Sequence, residues 1–89
     1  MRIEAFDWDD ANVRHIARHH VTPDEVEEIF DARTYLIRGR DGRYVALGQS
    51  AGGRYLFCVL ERTPQAGVIR IVTARDMEPW ERKLFNRKI

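Results

Sequence analysis

Three histidines and a set of arginines are the side chains of this sequence best suited to chemistry. His15 and His19 stand four residues apart, so on a helix they share one face, and His20 follows directly. An imidazole that titrates near working pH can act as a general acid or base. The same pair could ligate Zn²⁺, but a site needs at least a third ligand, and the Glu of a His-Glu-x-x-His motif is absent. The plainer reading makes His15 a solvated helix residue and His20 a cap at the negative end of the helix dipole. Arg54, Arg62, Arg70 and Arg75 fall on, or at the ends of, expected strands. A mid-strand arginine such as Arg70 must face water, a carboxylate across the sheet or an anionic ligand.

The charge distribution favours the anionic ligand. Residues 1–31 hold nine acids and three Arg, a net of −6, whereas residues 32–89 hold twelve Lys plus Arg and five acids, a net of +7. Five acids cannot satisfy twelve cations, so several arginines are expected to lack protein partners and to meet phosphate. Thirteen of the fifteen cations are Arg, whose planar fork grips phosphate bidentately. A GC-rich genome would also raise Arg over Lys, but it would not segregate the charge.

The elements that must position these groups read as a helical front and a stranded back. Ile3 to Trp8 is a short extended segment with Ile3, Phe6 and Trp8 as apolar anchors. Asp9 or Asp10 caps a first helix carrying Val13, Ile16 and Ala17, which ends near His19 and His20. Thr22-Pro23-Asp24-Glu25 is a capping box with Pro at the first helical position, and Val21 can staple to Val26. The second helix buries Val26, Ile29 and Phe30 and turns Glu25, Glu27 and Glu28 to water.

After residue 32 the period becomes two. Strands are expected over 34–38, 44–48, 55–60 and 68–74, with an Asp41-Gly42 turn between the first two and a loop over 63–67. Residues 55–60 are apolar throughout, which predicts a central strand buried on both faces, with Cys58 as inert core. Gly48-x-Ser50-x-x-Gly53 reads as a hairpin turn and not a phosphate loop, because no helix follows it. A last helix opens at Glu78-Pro79 and runs to about Arg87. The expected fold is α+β: four antiparallel strands between about residues 33 and 75, to which an N-terminal strand could be added, with two helices before and one after. The short connections predict a meander with the helices on one face.

Eighty-nine residues make one domain, here 1–89. No apolar run approaches the roughly 20 residues of a membrane span, and the N-terminus has no signal-peptide pattern. A single cysteine excludes an internal disulfide and a Cys-rich zinc site. The expected compartment is the cytoplasm. No RNA-binding motif of interleaved aromatic and basic residues is present.

An ordered set of short motifs carries a resemblance: Phe6-Asp-Trp-Asp9, Arg18-His19, Val21-Thr22, Arg43-Tyr44-Val-Ala-Leu-Gly48, Gly53-Arg54-Tyr-Leu-Phe57, Glu61-Arg62, Ile69-Arg-Ile-Val-Thr-Ala-Arg75 and Glu81-Arg82. Together they resemble the BrnT family of bacterial toxins over essentially the whole chain. The resemblance implies a fold related to the RelE-type ribonuclease toxins, with helices packed on an antiparallel sheet. It implies metal-independent RNA cleavage that halts translation, with no cofactor. It also implies a BrnA-like antitoxin that neutralises the toxin and itself binds operator DNA. The family's basic-His pair falls on Arg18 and His19, its mid-strand Arg on Arg70, its strand-end Arg on Arg75 and its Glu-Arg pair on Glu61 and Arg62. Four positions differ from the family pattern: His20 replaces Gly, His15 replaces Asn, Asn12 replaces Lys, and Phe85 is an aromatic without a hydroxyl. The expected catalytic set is His19 as acid or base with Arg75 and Arg70 on the phosphate. Arg18, Arg54 and Arg62 would support RNA binding, and His15 is the alternative base. A non-catalytic RNA- or protein-binding module remains the alternative function.

Overall fold

A computed structural model describes residues 2–89. Its elements are β1 (Ala5–Phe6), α1 (Asp10–Ala17), α2 (Pro23–Asp31), β2 (Thr34–Arg38), β3 (Arg43–Gln49), β4 (Tyr55–Arg62), β5 (Val68–Asp76) and α3 (Pro79–Lys88). The strands form one sheet in the order β1-β5-β4-β3-β2.

The four long strands form the expected antiparallel meander, closed at its first turn by Asp41 and Gly42, both at positive φ. The sheet nevertheless has five strands and is mixed, because β1 pairs parallel to β5 through Ala5 opposite Val68 and Phe6 opposite Ile69. Burial of Phe6 explains the addition: its ring packs 5.4 Å from that of Phe30 and 6.3 Å from that of Trp8. A parallel neighbour needs a long connection, and here everything from α1 to β4 supplies it.

The helices do not share a face, which corrects a second expectation. Positions 44, 46, 48, 56, 58 and 60 face α2 and α1 and form the main core with Ile16, Val21, Val26 and Ile29. Gly48 permits the closest approach: a Cβ there would sit 2.7 Å from the Cβ of Ile29. The other face carries Tyr35, Leu47, Tyr55 and Phe57, and α3 crosses over to cover it. Phe85 is buried with its ring edge-on to Tyr55 at 6.0 Å, and Lys88 lies 5.9 Å over Tyr35. Residues 55–60 accordingly alternate between fully and partly buried positions, not buried on both sides as expected. The second face is only partly roofed, and it is the face that remains open for function.

Capping sets the helix ends. Asp9 and Asn12 form a reciprocal capping box on α1, and Thr22 and Glu25 do the same on α2. The α1 terminus is a Schellman motif: Val21 N–H donates to Ile16 C=O at 3.2 Å and His20 N–H to Ala17 C=O at 3.0 Å. His20 occupies the left-handed position at φ 59°, a conformation that glycine adopts at less cost. The helix proper stops at Ala17, a little before the expected end.

Candidate active site

Beyond its two residues paired with β1, strand β5 presents a free edge, and α1 packs along it. Asn12 fixes the two together: it is buried, and its side-chain Nδ2 donates to Asp7 C=O at 2.9 Å and to Ile71 C=O at 3.3 Å. This docking brings His15 beside the open face of the sheet. A shallow pocket of about 220 Å³ lies there, lined by Asn12 and His15 from α1, Arg43 from β3, Glu61 from β4, and Arg70 and Val72 from β5.

A β-bulge decides which arginines share that face. Leu60 pairs with Ile71 and Val59 with Thr73, so Val72 is the extra residue. Residues 70 and 75 are five apart, and in a regular strand they would point to opposite sides. With the bulge, Arg70 stands opposite Glu61 and Arg75 opposite Phe57, both on the open face. Simple alternation places Ile69, Ile71 and Thr73 on one face; the bulge replaces Thr73 with Ala74 in the buried set.

The three strand arginines on this face, Arg43, Arg70 and Arg75, are each held by a carboxylate, while Arg82 of α3 stacks 3.9 Å over the Tyr55 ring. Arg70 donates to Asp9 at 2.8 Å and has Asp7 at 3.8 Å. The Asp9 hydrogen bond, against a smaller effect of burial, raises the guanidinium above its ordinary value, with the Asp7 and Glu61 charges adding to it. The same bond, followed by the Asn12 N–H, holds Asp9 below the usual carboxylate range. Arg43 lies 3.3 Å from Glu61, its direct cross-strand neighbour. Arg75 makes a two-pronged bond to Glu81 at 2.8 and 3.0 Å and stacks 3.9 Å over the Phe57 ring.

The other expected site residues are more dispersed. His19 lies one turn beyond His15, the two rings edge-on with centroids 6.5 Å apart. Arg18 is exposed as the C-cap of α1. Arg54 is a structural clamp: it bonds Asp76 at 2.7 and 3.2 Å, reaches Glu25 at 3.2 Å, and donates to the carbonyls of His19 and His20 at the end of α1. It thereby satisfies helix-terminal acceptors with a cation. Arg62 is on the core-facing side of β4, 5.6 Å over the Tyr44 ring, and lines a different pocket with Arg2.

The expectation of unpartnered arginines is therefore corrected for Arg54, Arg70 and Arg75. Acids from the first third of the chain (Asp7, Asp9 and Glu25) fold back onto arginines of the remainder. Charges segregated in sequence are paired in space. Arg18 and Arg62 form no ion pair among the described residues.

Arg43 is the site residue that reading for isolated motifs passed over. The turn over residues 50–54, which pairs Gln49 with Tyr55, carries the β3–β4 register and would have placed it opposite Glu61. Phe85 and Asn12 both have structural posts, one under α3 and one between α1 and β5. Among the described residues, no three His, Cys, Asp or Glu side chains converge to hold a metal ion. Cys58 is buried, and burial pushes its thiol up to about 12.

The pocket thus combines an imidazole, a carboxylate and two guanidinium groups, a set suited to moving protons around an anion. No helix is long and apolar enough to cross a membrane among the described residues. No curated protein matches the chain. The sequence profile of the family described as ribonuclease toxin, BrnT, of type II toxin-antitoxin system matches residues 8–81, which is most of the chain. The chain belongs to the BrnT family of ribonuclease toxins.

Proposed function

We propose that this protein is a cytoplasmic ribonuclease toxin that cleaves RNA without a metal ion and so arrests translation, and that a BrnA-like antitoxin neutralises it. The observation that carries the reading is the meeting of His15 and Arg70 at one pocket on the open face of the sheet. The cut is a transfer within the RNA. A base takes the 2′-OH proton, that oxygen attacks the adjacent phosphorus, and an acid protonates the departing 5′-oxygen. Arginines offset the extra negative charge of the transition state, which is usually the largest contribution.

Arg70 serves as the phosphate clamp, pre-oriented by Asp9. His15 from α1 and His19 from the turn that ends it supply the proton chemistry, with His15 alone of the two lining the pocket beside Arg70. Arg75, pinned by Glu81 and Phe57, extends the cationic face along β5, and exposed Arg18 extends it along α1. Arg54 supports the site indirectly by fixing the carbonyls of His19 and His20. Arg62, on the other face, is assigned to RNA or antitoxin outside the cutting site. The antitoxin is expected to cover some of Arg62, Arg70 and Arg75, with association that weakens as salt rises.

Induced expression with and without the neighbouring gene tests the reading. Growth arrest and RNA breakdown relieved by the neighbour support it. Arrest without RNA cleavage favours the non-catalytic RNA- or protein-binding module, for which the carboxylate partners of Arg43, Arg70 and Arg75 speak.

A further inference from the structure

Glu61 is the carboxylate of the pocket whose role an ion pair does not exhaust. Its Oε2 meets Arg43 Nε at 3.3 Å, while Oε1 has no hydrogen-bond partner among the described residues. Arg70 stands directly opposite on β5, but its donors go to Asp9 and Asp7. Glu61 therefore lies between two guanidinium groups, in a pocket whose imidazole comes from α1. A solvent-facing Arg–Glu pair on a sheet contributes only about 0–1 kcal/mol, so stability alone gives little reason for this carboxylate among phosphate-binding cations.

Building on the ribonuclease reading, we propose that Glu61 is the general base of the cut, that His15 is the general acid, and that Arg43 is a positioning residue that orients Glu61. The Glu61 carboxylate accepts the 2′-OH proton. The 2′-oxygen forms its bond to phosphorus as the bond from phosphorus to the 5′-oxygen breaks. The His15 imidazolium gives its proton to that oxygen. The products are a 2′,3′-cyclic phosphate and a 5′-hydroxyl, and a return transfer resets both side chains. Arg70 lies between the two proton-transfer groups in the pocket lining, where it can hold the phosphate. The groups facing Glu61 are Arg43 from β3, Arg70 from β5 and His15 from α1.

Two substrates separate base from acid. Natural RNA needs both, because its leaving 5′-oxygen must be protonated. Nucleoside 3′-(p-nitrophenyl phosphates), tried with all four bases, need only the base, because p-nitrophenolate leaves unprotonated. Purified full chain should cleave both in chelator. Glu61→Gln keeps the side-chain size at a partly exposed position and should lose about 10²- to 10⁴-fold on both substrates. His15→Ala should lose about 10²-fold or more on RNA and less than about tenfold on the ester. Arg43→Gln should lower kcat on both substrates with little change in KM, because the carboxylate loses its orientation and not a contact with substrate, and Arg43→Lys should restore part of the rate. Circular dichroism of each variant checks that the fold is kept.

Glu61→Gln cleaving both substrates within about threefold of wild type would overturn the proposal while leaving the ribonuclease reading standing. So would loss of ester cleavage in His15→Ala with Glu61→Gln unaffected, which makes the imidazole the base. A wild-type chain that cleaves neither substrate would overturn both readings.

Discussion

Replacing Glu81 with glutamine perturbs the ion pair whose carboxylate is buried, its side chain being 3% exposed. Glu81 accepts two bonds from Arg75, at 2.8 and 3.0 Å, and a third from the Glu78 N–H at 2.8 Å that caps α3. Glutamine keeps an oxygen for that N–H but turns an amide donor toward a guanidinium donor. Breaking a buried pair costs on the order of 3–5 kcal/mol. Arg75 is 33% exposed and can turn partly to water, which brings the expected loss to about 2 kcal/mol. For a domain of this size that lowers Tm by about 8–16 °C, readable by circular dichroism.

The pH dependence gives an internal control. Burial pushes the Glu81 carboxyl up, but the Arg75 bonds, the Glu78 N–H and the Arg75 charge together hold it below its ordinary 4.5. A carboxylate depressed in the folded state adds stability that is fully present above its unfolded value. That stability fades as pH falls through the folded value. Wild type and Glu81→Gln should therefore differ fully at pH 7 and converge on acidification below about pH 4. A loss under about 0.5 kcal/mol at pH 7, or a gap that stays constant into acid, would mean that the Arg75–Glu81 pair does not stabilise the fold.

Three further outcomes follow from local geometry. His20→Gly relieves a non-glycine left-handed residue at the end of α1 and should raise stability by about 1 kcal/mol, checked by chemical denaturation; no gain would mean the Schellman cap is unstrained. Gly48→Ala places a methyl against Ile29 and should destabilise by about 1–3 kcal/mol, measured the same way. Cys58, buried with its thiol pushed up to about 12, should resist maleimide labelling in the native chain and react only on unfolding, and rapid native labelling would show that β4 opens locally.

Much of the fold was legible because local signals and packing agree. The Thr22-Pro23 capping box, the Asp41-Gly42 turn and the period-two runs each fix an element by short-range chemistry. What escaped is what depends on two distant segments at once. The N-terminal strand was open as an addition, but its parallel pairing with β5 depends on Phe6 packing on Phe30 and on backbone bonds to Gly67 and Ile69, which no local pattern marks. The move of α3 to the second face depends on Tyr55 and Leu47 needing cover there. The bulge at Val72 has no sequence mark, yet it sets both Arg70 and Arg75 on the open face. The same limit applies to charge. Counting acids within the basic part of the chain hid the pairs that Asp9 and Glu25 make across it. His15, Arg70 and Arg75 were singled out from residue type, position and resemblance, whereas the carboxylates that hold the two arginines, Asp9 and Glu81, are pairings that only the coordinates give.

If the face shared by α1 and β5 cuts RNA, the purified chain does so in chelator with no other protein present. Total RNA is incubated with wild type, His15→Ala and Arg70→Ala, and the new ends are mapped chemically. Wild type should yield fragments ending in 2′,3′-cyclic phosphate and 5′-hydroxyl. Each variant should fall by about 10²-fold or more while remaining folded. Full wild-type rates in both variants, or activity that disappears with chelator, would contradict metal-independent cleavage at this face.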